Sequence, residues 1–419
     1  MNDFQKCLRK PANCESDLQR DEEKKVIHFV VGYFLVQIVN ASLKNLVVFS
    51  EGVNDLLSAL TAIVIVILFL RCARFLIFKK FGYFFFLEGF FVILYLLGLL
   101  SGLVPQDISL IEKASYTLGI CIPISIAFLV LSDNPIFFET FRRASYLIIL
   151  LGSLVLIMAA TAGLAHGGTY NMSIAGMMLP SVLLLIVSLA NNYSTRDLLF
   201  VIVGAASIFM GASRWPLISI LICIILCVIL FGKKRRTLII FSIAVAVLFI
   251  GFFWNEVISC ISNVFMALGI SSRNLSILTE GSFFTGTSQR TDVLFPYYIN
   301  LISEKPILGW GLFGGWIQDG LGPHNMLLEI TLAFGVPSGL LISIAAVILP
   351  LIAIRRNCNA MSQIWLVVFY CMVFPMFFVE GNFATTTAVF CLYLLAVVLL
   401  VARKNNQGIK MRLSRLVTQ

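Results

Sequence analysis

"WPLISILICIILCVILFGKKRRTLIIFSIAVAVLFIGFFW" runs from Trp215 to Trp254. Two apolar runs, neither holding a charged residue, flank Lys233, Lys234, Arg235 and Arg236. Each run is close to the roughly 20 residues that an α-helix needs to cross a bilayer core. A tight basic cluster between two such runs is the pattern of a cytoplasmic loop. The stretch therefore reads as two membrane helices joined on the inside.

The rest of the chain repeats the pattern. Of its 419 residues, 59% are hydrophobic and 12% charged, where soluble domains carry about 25% charged residues. Mean hydropathy is +0.98. Apolar runs fall at 26–48, 55–78, 81–104, 114–131, 143–162, 173–190, 197–213, 215–232, 237–254, 325–353, 361–379 and 384–402. The expectation is an all-α polytopic membrane protein of about 12 transmembrane helices at roughly 20 residues per span. The segments are a cytoplasmic stretch over 1–25, helices 1–9 over 26–254, a long loop over 255–323, helices 10–12 over 324–402, and a cytoplasmic tail over 403–419. No cleavable leader is expected, because residues 1–25 are polar and mixed in charge and precede the first apolar run.

The net charge of +9 does not point to nucleic acid, because the basic residues sit in short clusters between apolar runs. With the N-terminus inside and the spans alternating, few basic residues face outward. Of the 30 Lys and Arg, only Lys44, Lys113, Arg214, Arg273, Arg290 and Lys305 are left for membrane or outside positions. Both termini are thus expected in the cytoplasm. The ten Cys fall mostly in or beside apolar runs. Cys223 and Cys227 are one helical turn apart with no partner pair, which is packing rather than zinc. Only Cys260 is expected on the oxidising side.

The loop over 255–323 breaks the sequence of short connections, and loops of that length are usually functional. "SRNLSIL" and "SQRTDVLFPYYINLISEKPILGWG" suggest short amphipathic helices within it. Gly309–Gly314 spells G-x-G-x-x-G, yet it faces outside and lacks a parallel-sheet unit. It reads as a tight turn with Trp310 and Trp316 as interfacial anchors.

The outside face gathers Arg214 in "GASRWPL", Arg273 in "SSRNLS", Arg290 in "TSQRTD" and His324 in "GPHNMLLE". Arg offers a planar fork of donors that suits phosphate, so several together would suit a pyrophosphate. The bland reading pairs each Arg with a local acid such as Asp292 or Glu280, or lets it snorkel to headgroups. His324, between Pro323 and Asn325 at a helix start, is placed to take a proton from a hydroxyl, or simply to cap the helix. Glu329 lies within an apolar run and must face protein or water; it is a substrate-binding candidate, placed to pair with an Arg or to hydrogen-bond to sugar. His166 in "LAHGGTYN" is a candidate to line a sugar path. The acids show no metal-ligand spacing, so chemistry without a metal or other cofactor is expected.

These motifs carry a resemblance. "SSRNLSIL", "SQRTDVL", "EKPILGWG" and "GPHNMLLEITLAFGVPSGLL", with the earlier "GASRWPLIS", resemble the late signature of bacterial O-antigen and capsular polysaccharide polymerases, which share a superfamily with O-antigen ligases. The likeness covers about residues 205–345, and the order of its motifs favours the polymerase. It implies a GT-C-like integral-membrane glycosyltransferase of the bacterial inner membrane with its active site facing the periplasm. Its substrates would be lipid-linked oligosaccharides on polyprenyl pyrophosphate. A polymerase moves the growing glycan onto a new lipid-linked repeat; a ligase moves it onto the lipid A core. The resemblance assigns His324 as base and Arg214 and Arg290 as pyrophosphate ligands. Arg273 is a further ligand candidate, and Asn325 would orient the site. It also implies membrane lipids, a chain-length regulator and a flippase of the same pathway as partners. A transporter or flippase of lipid-linked sugars is the rival of another class, but it would be expected to carry more ionisable residues at mid-span and no dominant late loop.

Overall fold

In a bilayer a backbone must satisfy its own N–H and C=O groups, and a helix does so within one segment. In the computed structural model of the protein, every regular element among the described residues is accordingly a helix. The described residues are 17–46, 51–100, 113–162, 172–191, 194–210, 214–231, 259–260, 262–264, 267, 293–312, 323, 325–356, 360–379 and 386–401. The expected ninth span over 237–254 and the tail over 403–419 lie outside them, as does much of the loop over 255–323.

The helices are α1 (Asp17–Leu46), α2 (Glu51–Lys79) and α3 (Phe81–Leu100), then α4 (Lys113–Leu131), with a π-helical turn at Thr117–Cys121. Next come α5 (Pro135–Ala162), α6 (Met172–Asn191), α7 (Thr195–Met210) and α8 (Arg214–Phe231). After the long connection follow α9 (Phe295–Glu304), α10 (Met326–Phe334), α11 (Val336–Arg356), α12 (Ala360–Val373), α13 (Met376–Val379) and α14 (Thr387–Val401). Seven helical stretches among the described residues are long and apolar enough to cross a membrane, and α3, α8 and α14 each contain a shorter apolar stretch. The protein is an all-α polytopic membrane protein.

Two boundaries depart from expectation. Helix α1 begins at Asp17, inside the stretch expected to precede the first span. Lys25 bonds Glu22 at 2.6 Å and lies 3.4 Å from Asp21. Such one-turn pairs support a helix beyond the apolar run. The single span expected over 325–353 is instead two helices, α10 and α11, parted at Gly335 with φ 77°. Of the two, α11 alone has the length and hydropathy to cross.

The chain divides into two units, Met1–Ala73 with Pro135–Asp292, and Arg74–Asn134 with Val293–Gln419. In the first, α5 packs against α1, α6 and α7, and α6 packs against α8. A buried polar cluster ties α5, α6 and α7 together. Asp197, 0% exposed, accepts from Arg142 Nε at 3.1 Å and Nη2 at 3.2 Å. It also accepts from Ser188 Oγ at 3.1 Å and from the Tyr146 hydroxyl. The Arg196 guanidinium lies 4.1 Å from the centroid of the Tyr146 ring. A carboxylate survives this burial because charged and neutral donors saturate it.

In the second unit, Phe128 of α4 meets Trp365 and Phe369 of α12 at ring-centroid distances of 5.2 and 4.9 Å. Small polar groups join α4 to α14: Thr387 Oγ1 donates to Cys121 Sγ at 3.5 Å and Cys391 Sγ to Ser125 Oγ at 3.5 Å. Small side chains let helices approach closely where lipid supplies no hydrophobic drive. Between α4 and α5, Asp133 accepts from the buried Ser362 hydroxyl near the start of α12.

Candidate functional site

Helix α10 organises the candidate site of the second unit. Asn325 is its N-cap, in extended conformation at φ −152° and ψ 114°. Its side-chain oxygen accepts from the Leu328 N–H at 3.0 Å, satisfying one of the donors that a helix start leaves open. Its amide nitrogen donates to the Phe378 carbonyl of α13 at 3.4 Å. One residue thus starts the helix and ties that start to α13. Glu329, 3% exposed, sits in the first turn. Its burial accords with the expectation that a carboxylate in this run faces protein rather than lipid.

Asn325 and Glu329 therefore share one turn of one helix. His324 lies outside the described residues, between buried Pro323 and capping Asn325. Arg273, Arg290 and His166 also lie outside them. Arg214 is the first residue of α8 in the first unit. Trp215 beside it is buried, and Ser219 Oγ donates back to the Trp215 carbonyl at 3.0 Å within the same helix.

An apolar cavity of about 490 Å³ adjoins α10 within the second unit. Met326 and Ile330 of α10, Phe91 of α3, Ala346 of α11 and Phe390 of α14 line it, with Tyr393 contributing a hydroxyl-bearing wall. Met326 directly follows the N-cap, so the cavity lies beside the first turn of α10. A pocket of this size and lining suits a hydrocarbon chain rather than a sugar.

Sequence reasoning missed the segment that supports α10 from its other end. Trp310 N–H donates to the Leu332 carbonyl at 2.7 Å and Gly311 N–H to the Ala333 carbonyl at 3.0 Å. Val336 N–H donates to the Pro306 carbonyl at 2.7 Å. Trp310 was expected as an interfacial anchor. It is half-buried, its Nε1 donates to the Leu301 carbonyl at 2.8 Å, and Lys305 Nζ lies 3.8 Å from its ring centroid. A signal was present: Gly335 followed by Pro337 is the pairing of a helix stop and a new helix start. The helix α9, with Tyr298 and Leu301 buried, falls where short amphipathic helices were expected. Trp316 lies outside the described residues.

Residues 198–344 match the family model described as O-antigen ligase. The match is consistent with the O-antigen polymerase and ligase superfamily, whose members transfer glycans within the membrane. It spans about a third of the chain, and Arg214, Arg273, Arg290, His324, Asn325 and Glu329 all fall inside it, whereas His166 does not. None of the curated proteins compared matches the chain.

Proposed function

We propose that the protein is a surface-polysaccharide polymerase of the bacterial inner membrane. It moves a growing glycan from polyprenyl pyrophosphate onto the terminal sugar of a new lipid-linked repeat. The observation that supports a glycan transferase of this superfamily is the family match over 198–344, which takes in six of the candidate residues together; the order of the motifs in that stretch is what favours the polymerase. The apolar cavity beside α10 supports the lipid half of the substrate, since its wall accepts the branched hydrocarbon of the carrier.

The chemistry follows from the residue types. His324 removes the proton from the acceptor hydroxyl as its oxygen attacks the anomeric carbon of the donor glycan. The bond from that carbon to the pyrophosphate oxygen breaks, and lipid pyrophosphate departs. Arg214 and Arg290, with Arg273, hold the charge that develops on it. Fixed guanidinium donors need little reorganisation at that moment. The proton on His324 passes to solvent. Asn325 keeps α10 capped and joined to α13, which fixes the start of the helix. The active site faces the periplasm with both termini in the cytoplasm, and a flippase and a chain-length regulator of the same pathway serve as partners.

The family description favours a second reading, a ligase with the lipid A core as acceptor. A deletion strain complemented with wild type or His324→Ala separates the two. Polymerase function leaves single repeats on the core in the deletion strain, with a size ladder restored by wild type alone. Long polymer accumulating on the lipid carrier would instead identify a ligase. A ladder unchanged by the deletion would refute both.

A further inference from the structure

Helix α10 is a short beam held at both ends. Its last carbonyls have no partners within the helix, and neither do the first N–H groups of α11. At Leu332, Ala333 and Val336 the segment Pro306–Gly311 satisfies these groups on both sides of the break. The contact is backbone to backbone and is possible only because side chains are missing. A Cβ at Gly335, φ 77°, would stand 2.1 Å from the Ile307 carbonyl oxygen. A Cβ at Gly309, φ 70°, would stand 2.6 Å from the Ala333 backbone. The Trp310 indole then anchors the segment to the last turn of α9 through Leu301.

We propose that Gly309, Trp310 and Gly335 are positioning residues for glycan transfer, forming a rigid joint that sets where the N-terminal end of α10 points. The proposal rests on the function argued above, because it assigns the reaction to that end of the helix. Nine residues at 1.5 Å each make a lever of about 13 Å. A tilt of roughly 4° at the joint therefore moves the Asn325 end by about 1 Å, and a misplacement of that size can lower a rate by about 100-fold. The joint touches no substrate and acts only through α10.

The test uses the full chain in lipid nanodiscs with lipid-linked repeats purified from the host as substrate. Gly335→Ala and Gly309→Ala are compared with Gly82→Ala and Gly89→Ala, where an added Cβ meets nothing within 4 Å. Hydrogen exchange at the Trp310, Gly311 and Val336 amides reports the joint independently of activity. The expected result is fast exchange at those amides and kcat about 100-fold lower in the two joint variants. KM changes less than threefold, and both control variants behave as wild type. Trp310→Phe, which removes the Leu301 bond and leaves a smaller ring beneath Lys305, gives a smaller loss of kcat and keeps the proposal testable if a glycine variant fails to fold. Fast exchange with kcat preserved overturns the positioning role, and unchanged exchange overturns the joint itself. Wild type that transfers no glycan, with the amides protected as expected, rejects the proposed reaction while leaving the joint intact.

Discussion

Replacing Asp197 by Ala tests the packing of the first unit. The change removes a carboxylate that is 0% exposed and strands three donor groups, on Arg142, Tyr146 and Ser188. Breaking a buried ion pair from one side costs about 3–5 kcal/mol. The lower end applies here, because Arg142 keeps a 3.1 Å pairing to Glu139 and its side chain is 22% exposed. The expected loss is therefore about 3 kcal/mol, or about 100-fold in the unfolding equilibrium. Equilibrium unfolding in mixed micelles, followed by circular dichroism, measures it. A double-mutant cycle with Arg142→Met should return a coupling above about 1 kcal/mol, since neither side chain retains its main partner once the other is gone. A loss under about 1 kcal/mol for Asp197→Ala, or additivity within about 0.5 kcal/mol, would refute the view that this cluster locks α5, α6 and α7.

Two further outcomes are expected. Ala346→Phe fills the apolar cavity beside α10; it should raise KM for long-chain polyprenyl carriers at least tenfold while leaving a short-chain donor analogue little changed, and equal effects on both would count against a tail in the cavity. Asp133 supplies a pH effect: partial desolvation of its carboxyl, in a residue that is otherwise exposed, raises it above the ordinary value of 3.8 against the opposing pull of Lys80. A raised folded-state value means that the folded protein binds the proton more tightly, so this site loses stability as pH rises through that value. Asp133→Asn should thus be more stable than wild type at neutral pH, with the gap closing as pH falls toward 3.8; a gap constant with pH would reject it.

Chain-local features were readable in advance because their causes are local. A bilayer demands helices of a certain length, and a run such as Ser173–Asn191 meets the demand without help from any other segment. The Asn cap of α10 is likewise a bond between Asn325 and Leu328, three residues on. The limits of local rules appear where a helix bends or stops. Pro180 and Pro350 both lie inside continuous helices, whereas Gly335 divides one apolar run in two.

The order of residues alone is enough to place the chain as a polytopic helical membrane protein and to locate most of its helices. That Gly335 ends a helix is a tertiary outcome, because a break is tolerated when another segment takes the freed N–H and C=O groups, and Pro306–Gly311 does so from more than twenty residues away. The tertiary structure alone decided that Asp197 is locked by Arg142 and Tyr146, and that four helices enclose an apolar cavity beside Asn325. Each of these is a meeting of residues distant along the chain, set by how helix faces pack together rather than by the spacing within any one of them.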